Sequence, residues 1–207
     1  MENCITDFRN CMKCILKNIG ATVMGVKPAE LRTVQFSEHG VWERCKKTIS
    51  SYQQIKFIEL YDLARGKKVL FYHHQALDQQ LRRPEVLNFL QQLGYPSEYD
   101  LESYVSYLVD RLQRDDFPHE IGIFFGYPLK DVLGFMGYLD LESTYTSEWK
   151  FYGNQAVSLA KKKKFEEARS YFIEQLDNLE QVEEFDKVVW KFIKPNSLSI
   201  TTSLITK

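Results

Sequence analysis

The stretch "IKFIELYDLARGKKVLFYHH", residues 55–74, decides how the rest of the chain is read. Its two runs, IKFIELYDL (55–63) and KKVLFYHH (67–74), are rich in β-branched and aromatic residues. Ala-Arg-Gly separates them, with Gly66 at the turn. That pattern predicts a β-hairpin, because such side chains suit a half-buried pleated surface and glycine suits the turn. Upstream, LRTVQF (31–36) alternates apolar and polar residues, as a strand does. HGVWERCKKTISSYQQ (39–54) between them has helical spacing at Val41, Cys45 and Ile49, with Ser37 offered as its N-cap.

Further out, DFRNCMKCILKNIG (7–20) reads as a helix closed by Gly20. In the connector ATVMGVKPAEL (21–31), Pro28 forces an extended or turn conformation on Lys27. Downstream come QALDQQL and then PEVLNFLQQLG, with Pro84 in a first turn and Gly94 at the end. DLESYVSYLVDRLQRD (100–115) is a third helix in this part, capped by Asp100, with Leu101, Tyr104, Val105, Leu108 and Leu112 on one face. SEWKFYG (147–153) alternates as a strand, and a long helix is expected over 154–179. EEFDKVVWKFIK fits one more helix or strand.

The expected class is therefore α+β, a mainly antiparallel sheet backed by helices. The order is that of a ferredoxin-like βαββαβ unit with about four strands and a helical insertion. A single domain over 1–192 is expected, with its N-terminal helix in 1–20 and the βαββ unit in 31–74. The insertion falls in 75–140, and the last strand and long helix in 147–179. Residues 193–207, rich in Ser and Thr, are expected to be a flexible tail.

Composition narrows the class of function. The 207 residues are 44% hydrophobic and 27% charged, as in an ordinary globular protein. Twenty-seven basic and 28 acidic residues leave a net charge of −1, which speaks against a nucleic-acid binder. Nothing approaches the roughly 20 consecutive apolar residues of a membrane helix. The N-terminus lacks the basic start and apolar run of a signal peptide, so a cytoplasmic protein is expected. Phosphate-binding P-loop, dinucleotide, nucleophile-elbow and zincin motifs are all missing, and no motif specifies a cofactor. The run KKKK (161–164) covers more than one helical turn and is followed by FEEAR, which makes it a solvated helix surface.

Four cysteines stand at 4, 11, 14 and 45. Cys11 and Cys14 form a C-x-x-C, which offers a metal or redox site with Cys4 or Cys45 as further ligands. Against it, no second ligand pair follows, and Cys11, Ile15 and Ile19 share one face of an amphipathic helix. His73 and His74 end the second hairpin strand, where neighbours face opposite sides and do not chelate one ion together.

The densest segment is DDFPHEIGIFFGYPLKDVLGFM (115–136). Asp115 or Asp116 can cap a short helix whose first turn holds Pro118, His119 and Glu120. A second helix is expected to start after Tyr127-Pro128, at Leu129 or Lys130. From Phe117 to Phe135 the segment resembles the signature of domain of unknown function 3793, a bacterial family found mainly in clostridia and other anaerobes. GVKPAEL (25–31) and EWKFYGN (148–154) resemble two further segments of that family. Glu30 stands where the family often has Asn. The resemblance spans roughly residues 20–175 and implies no activity, since none is established for the family.

Packing explains the Phe, Gly and Pro residues of the motif as a turn into core. It explains His119 beside Glu120 less well, because a first helical turn favours an anionic ligand. Three readings follow. In the first, the chain binds a small molecule or protein partner without chemistry of its own. Its site lies around FPHEIGIFFGYP, with Lys27, His119, Glu120, Tyr127 and Tyr152 as ligand-binding candidates. Lys27 enters because the resembling segment centres on it. The second is an enzyme in which His119 or Glu120 acts as general acid-base on a small anionic substrate. The third is a metal or redox protein using Cys11 and Cys14.

Overall fold

The computed structural model describes residues 7–36, 38–114, 116–179 and 183–193. Cys4, the caps proposed at Ser37 and Asp115, and the tail from residue 194 lie outside them. The chain folds as two compact units, one of residues 1–75 with 164–207, the other of residues 76–163.

The first unit opens with α1 (Phe8–Val23), capped by the Asp7 carboxylate, which accepts from the Asn10 backbone N–H at 2.8 Å. Gly20 does not end this helix. The helix kinks at Ile19 and runs three residues past Gly20, where a Cβ would lie 2.8 Å from the Phe172 ring. Glycine is needed there for close packing. The cap is Gly25 (φ +69°), whose N–H bonds the Thr22 carbonyl while the Val26 N–H reaches Ala21.

Strand β1 (Ala29–Gln35) and helix α2 (His39–Ser51) lead to the hairpin of β2 (Ile55–Leu63) and β3 (Gly66–His73). The strand order is β1-β3-β2 and every pairing is antiparallel. A bulge between Glu59 and Tyr61 turns Leu60 inward. Because β3 is the central strand, residues Val69 to His73 are buried without interruption. That burial brings His73 inside. Loss of solvent holds its imidazole down at about 4, and its backbone N–H bonds the Pro28 carbonyl. His74 does not extend the strand; it opens the next helix, α3 (His74–Leu81).

The second unit continues with α4 (Pro84–Gln92), α5 (Leu101–Leu112), the single turn α6 (Ile121–Phe124) and α7 (Leu129–Phe135). A small antiparallel sheet of β4 (Ser143–Thr146) and β5 (Lys150–Tyr152) follows. Here the ferredoxin-like expectation is corrected. The run 147–153 contributes β5, but it pairs with β4, a strand the sequence did not announce, and not with β1. The protein is α+β, with a three-stranded and a two-stranded antiparallel sheet.

Asp100 caps α5 as expected, accepting from the Ser103 N–H at 2.9 Å. α8 (Ala156–Asp177) and α9 (Glu183–Ile193) complete the chain. In the first unit, Phe172 and Leu176 of α8 and Phe185 and Val189 of α9 join Met12, Leu16, Trp42, Ile49, Val69 and Phe71 in one apolar core. Full burial of such side chains is worth about 1.5–3 kcal/mol each, so the core anchors this unit. No helix among the described residues is long and apolar enough to cross a membrane.

Candidate functional site

The motif segment builds its site from three short elements. After Asp116, Pro118 and Glu120 are buried while Phe117 and His119 are exposed. The chain turns through α6 and is capped at Gly126 (φ +77°), whose N–H bonds Ile123 while the Tyr127 N–H reaches back to Gly122. Pro128 then starts α7. Because α6 is a single turn, few peptide dipoles align in it, and the helix-start argument for an anion at His119 and Glu120 loses its force.

A cavity of about 370 Å³ lies against this segment. Ile121, Phe125 and Val132 line its wall, and the half-exposed rings of Phe117 and Phe135 flank its mouth. Tyr127 and Trp149 stand stacked at one side, ring centroids 4.2 Å apart and planes 16° from parallel. His119, Ser147, Glu148 and Lys150 supply polar groups around the opening. The His119 ring sits edge-on to Phe135 at 4.9 Å, and the Lys150 ammonium lies 5.8 Å from the centre of the same ring.

Asp131, one of the lining residues, organises the site and was not singled out from the sequence. It is 1% exposed and accepts four bonds. Trp149 Nε1 (2.9 Å) and Ser158 Oγ (2.6 Å) donate to Oδ2, while the Tyr152 N–H (2.9 Å) and Lys130 Nζ (2.6 Å) donate to Oδ1. Lys130 also donates to the Tyr152 carbonyl and to Ser158 Oγ. One carboxylate thus ties α7 to β5 and to the start of α8, and holds the Trp149 indole in place. Gly134 lets β5 come close, since a Cβ there would lie 2.6 Å from the Tyr152 ring. The signal was present in the sequence: the resembling motif carries an Asp at this position, three residues after Pro128.

The neighbours His119 and Glu120 part company. Glu120 is fully buried and does not line the cavity. Its Oε1 lies 2.7 Å from Arg111 Nε, off the line of a hydrogen bond, and accepts from the Tyr95 hydroxyl at 3.2 Å. Burial, then the Glu120 charge, push the Tyr95 phenol well above its ordinary value. Glu120 Oε2 has no hydrogen-bond partner among the described residues. A buried, incompletely bonded ion pair of this kind fixes geometry more than it stabilises.

Tyr127 reaches the cavity and Tyr152 does not; the latter packs on Gly134 behind Asp131. Lys27 belongs to the other unit, where it is buried over the Phe165 ring, its ammonium 4.0 Å from Glu30. Glu30 also accepts from Thr22 Oγ1 at 3.2 Å and pairs with Arg32.

Cys11 meets Cys45 on α2 rather than Cys14. Both are free thiols: a hydrogen bond from the Cys45 thiol lowers the Cys11 value, and that hydrogen bond and burial push Cys45 upward. Cys14 is half-buried and takes a contact from Asn18 Nδ2 at 3.6 Å. Among the described residues no group of three or more His, Cys, Asp or Glu could hold a metal ion.

The model of a family described as "Protein of unknown function (DUF3793)" matches residues 15–185, which include the cavity and all four residues around its opening. No curated protein and no solved structure matches the chain.

Proposed function

The chain belongs to the DUF3793 family, and from that premise we propose that it is a non-catalytic, cytoplasmic ligand-binding protein whose site is the aromatic cavity around FPHEIGIFFGYP. The observation that carries this reading is the cavity itself. Its volume falls within the range of small-molecule sites, about 300–1,000 Å³, and its walls are mainly apolar and aromatic with a few polar groups at the opening. The division between His119 and Glu120 favours binding over acid-base chemistry. Only His119 faces the cavity, while Glu120 is committed to Arg111 and Tyr95.

Titration with N-phenyl-1-naphthylamine, a neutral probe that fluoresces in apolar surroundings, tests the proposal. Saturable 1:1 binding is expected, weakened at least about tenfold in Ser147→Trp, which places a large side chain at the opening. No saturable binding, or binding indifferent to Ser147→Trp, overturns the reading.

A further inference from the structure

We propose that the cavity takes a flat aromatic ligand carrying an anionic group, such as an aryl carboxylate, with Lys150 and His119 receiving the charge at the opening. This rests on the binding reading above and names the class of ligand.

The two groups converge on one ring. The Phe135 ring has His119 edge-on at 4.9 Å and the Lys150 ammonium at 5.8 Å. Both side chains are exposed and line the cavity. No carboxylate among the described residues forms an ion pair with Lys150. An anion at the mouth would therefore gain charge-assisted bonds without breaking an existing pair.

The acidic groups of the cavity do not offset this equally. Asp131 is saturated by four donors, one of them the Lys130 ammonium, so it presents neither a free oxygen nor an uncompensated charge. Glu148 is exposed at the opening and is the one opposing charge among the described lining residues. A cationic ligand is disfavoured for a further reason. The aromatic wall already has an ammonium, Lys150, against Phe135, and a second cation would meet its repulsion. The half-exposed Phe117 and Phe135 rings and the Phe125 ring line the cavity, and a flat ligand ring gains there by offset or edge-on contact.

Three probes with one ring system test this: 2-naphthoate, 2-naphthamide and (2-naphthyl)trimethylammonium, titrated into the full-length protein by calorimetry. The carboxylate is expected to bind about tenfold more tightly than the amide, and the ammonium more weakly than either. Lys150→Met is expected to remove the preference for the carboxylate over the amide. Glu148→Gln is expected to tighten the carboxylate about two- to threefold. Equal affinities for all three probes, or tightest binding of the ammonium, overturns the anionic class while the cavity reading stands. If no probe binds, and N-phenyl-1-naphthylamine also fails, the binding reading itself falls.

Discussion

The two units hold themselves together by different means. In the first, a three-stranded sheet and long helix faces give an apolar core, running from Cys11 on α1 to Ile193 on α9, in which α1, α2, α8 and α9 each contribute three or more buried side chains and the sheet adds Val34, Ile55, Val69 and Phe71. In the second, α6, α7, β4 and β5 are 4, 7, 4 and 3 residues long. The helices before them bury apolar side chains such as Leu81, Val86, Leu90 and Leu108, but elements this short bury little each, and directional bonds to a buried carboxylate add to the packing there. Asp131 pins α7, β5 and α8. The aromatic cavity of the second unit lies against this framework of short elements.

The strongest way to break this contrast is Asp131→Asn. An amide cannot accept all four bonds and leaves Lys130 without its counter-charge. A loss of about 3–5 kcal/mol is expected, the range for breaking a buried pair. Hydrogen exchange should show protection falling over residues 121–158 while the hairpin 55–73 keeps it. Equal loss in both units, or none, would show that Asp131 is not what holds the second one.

The first unit should instead answer to solvent exclusion, and His73 reports it. The imidazole is kept neutral in the fold down to about pH 4, while in the unfolded chain it takes a proton near 6.5. Its contribution is therefore complete above pH 6.5 and fades as pH falls from 6.5 to 4, by about 3 kcal/mol. Urea unfolding across that window should show the decline, and His73→Gln should flatten it. An unchanged slope in the variant would place the acid sensitivity elsewhere.

The smallest effects come from the two close glycines and sharpen the comparison. In Gly20→Ala the new Cβ meets Phe172, a fully buried ring with no room to move, and about 2–3 kcal/mol should be lost. In Gly134→Ala it meets Tyr152 Cγ at 2.6 Å and Cβ at 2.8 Å, atoms that a ring rotation does not move, on a backbone held by Asp131 and Lys130, so about 2–3 kcal/mol is expected there too. Thermal denaturation measures both; no loss in Gly134→Ala would show that β5 is free to move away from α7.

Legibility followed the same division. The hairpin, the α5 cap at Asp100 and the long helix near 156–177 could be read because apolar spacing and local caps are encoded in neighbouring residues. Gly20 was misjudged because its role is set by Phe172, far along the chain. The motif drew attention to the segment that lines the cavity, yet His119 and Glu120 looked like one feature until the fold turned them apart. Asp131, inside that same segment, carried no periodic signal of its own.

Sequence alone determined the α+β class, the antiparallel hairpin and the family, because these follow from residue types and spacing along one strand of chain. Only the tertiary structure decided that the run 147–153 pairs with β4, that Cys11 meets Cys45 and not Cys14, and that four donors converge on Asp131. Those are contacts between residues distant in the chain. Local propensity is silent about them, since their energy exists only once both partners have lost their water and met.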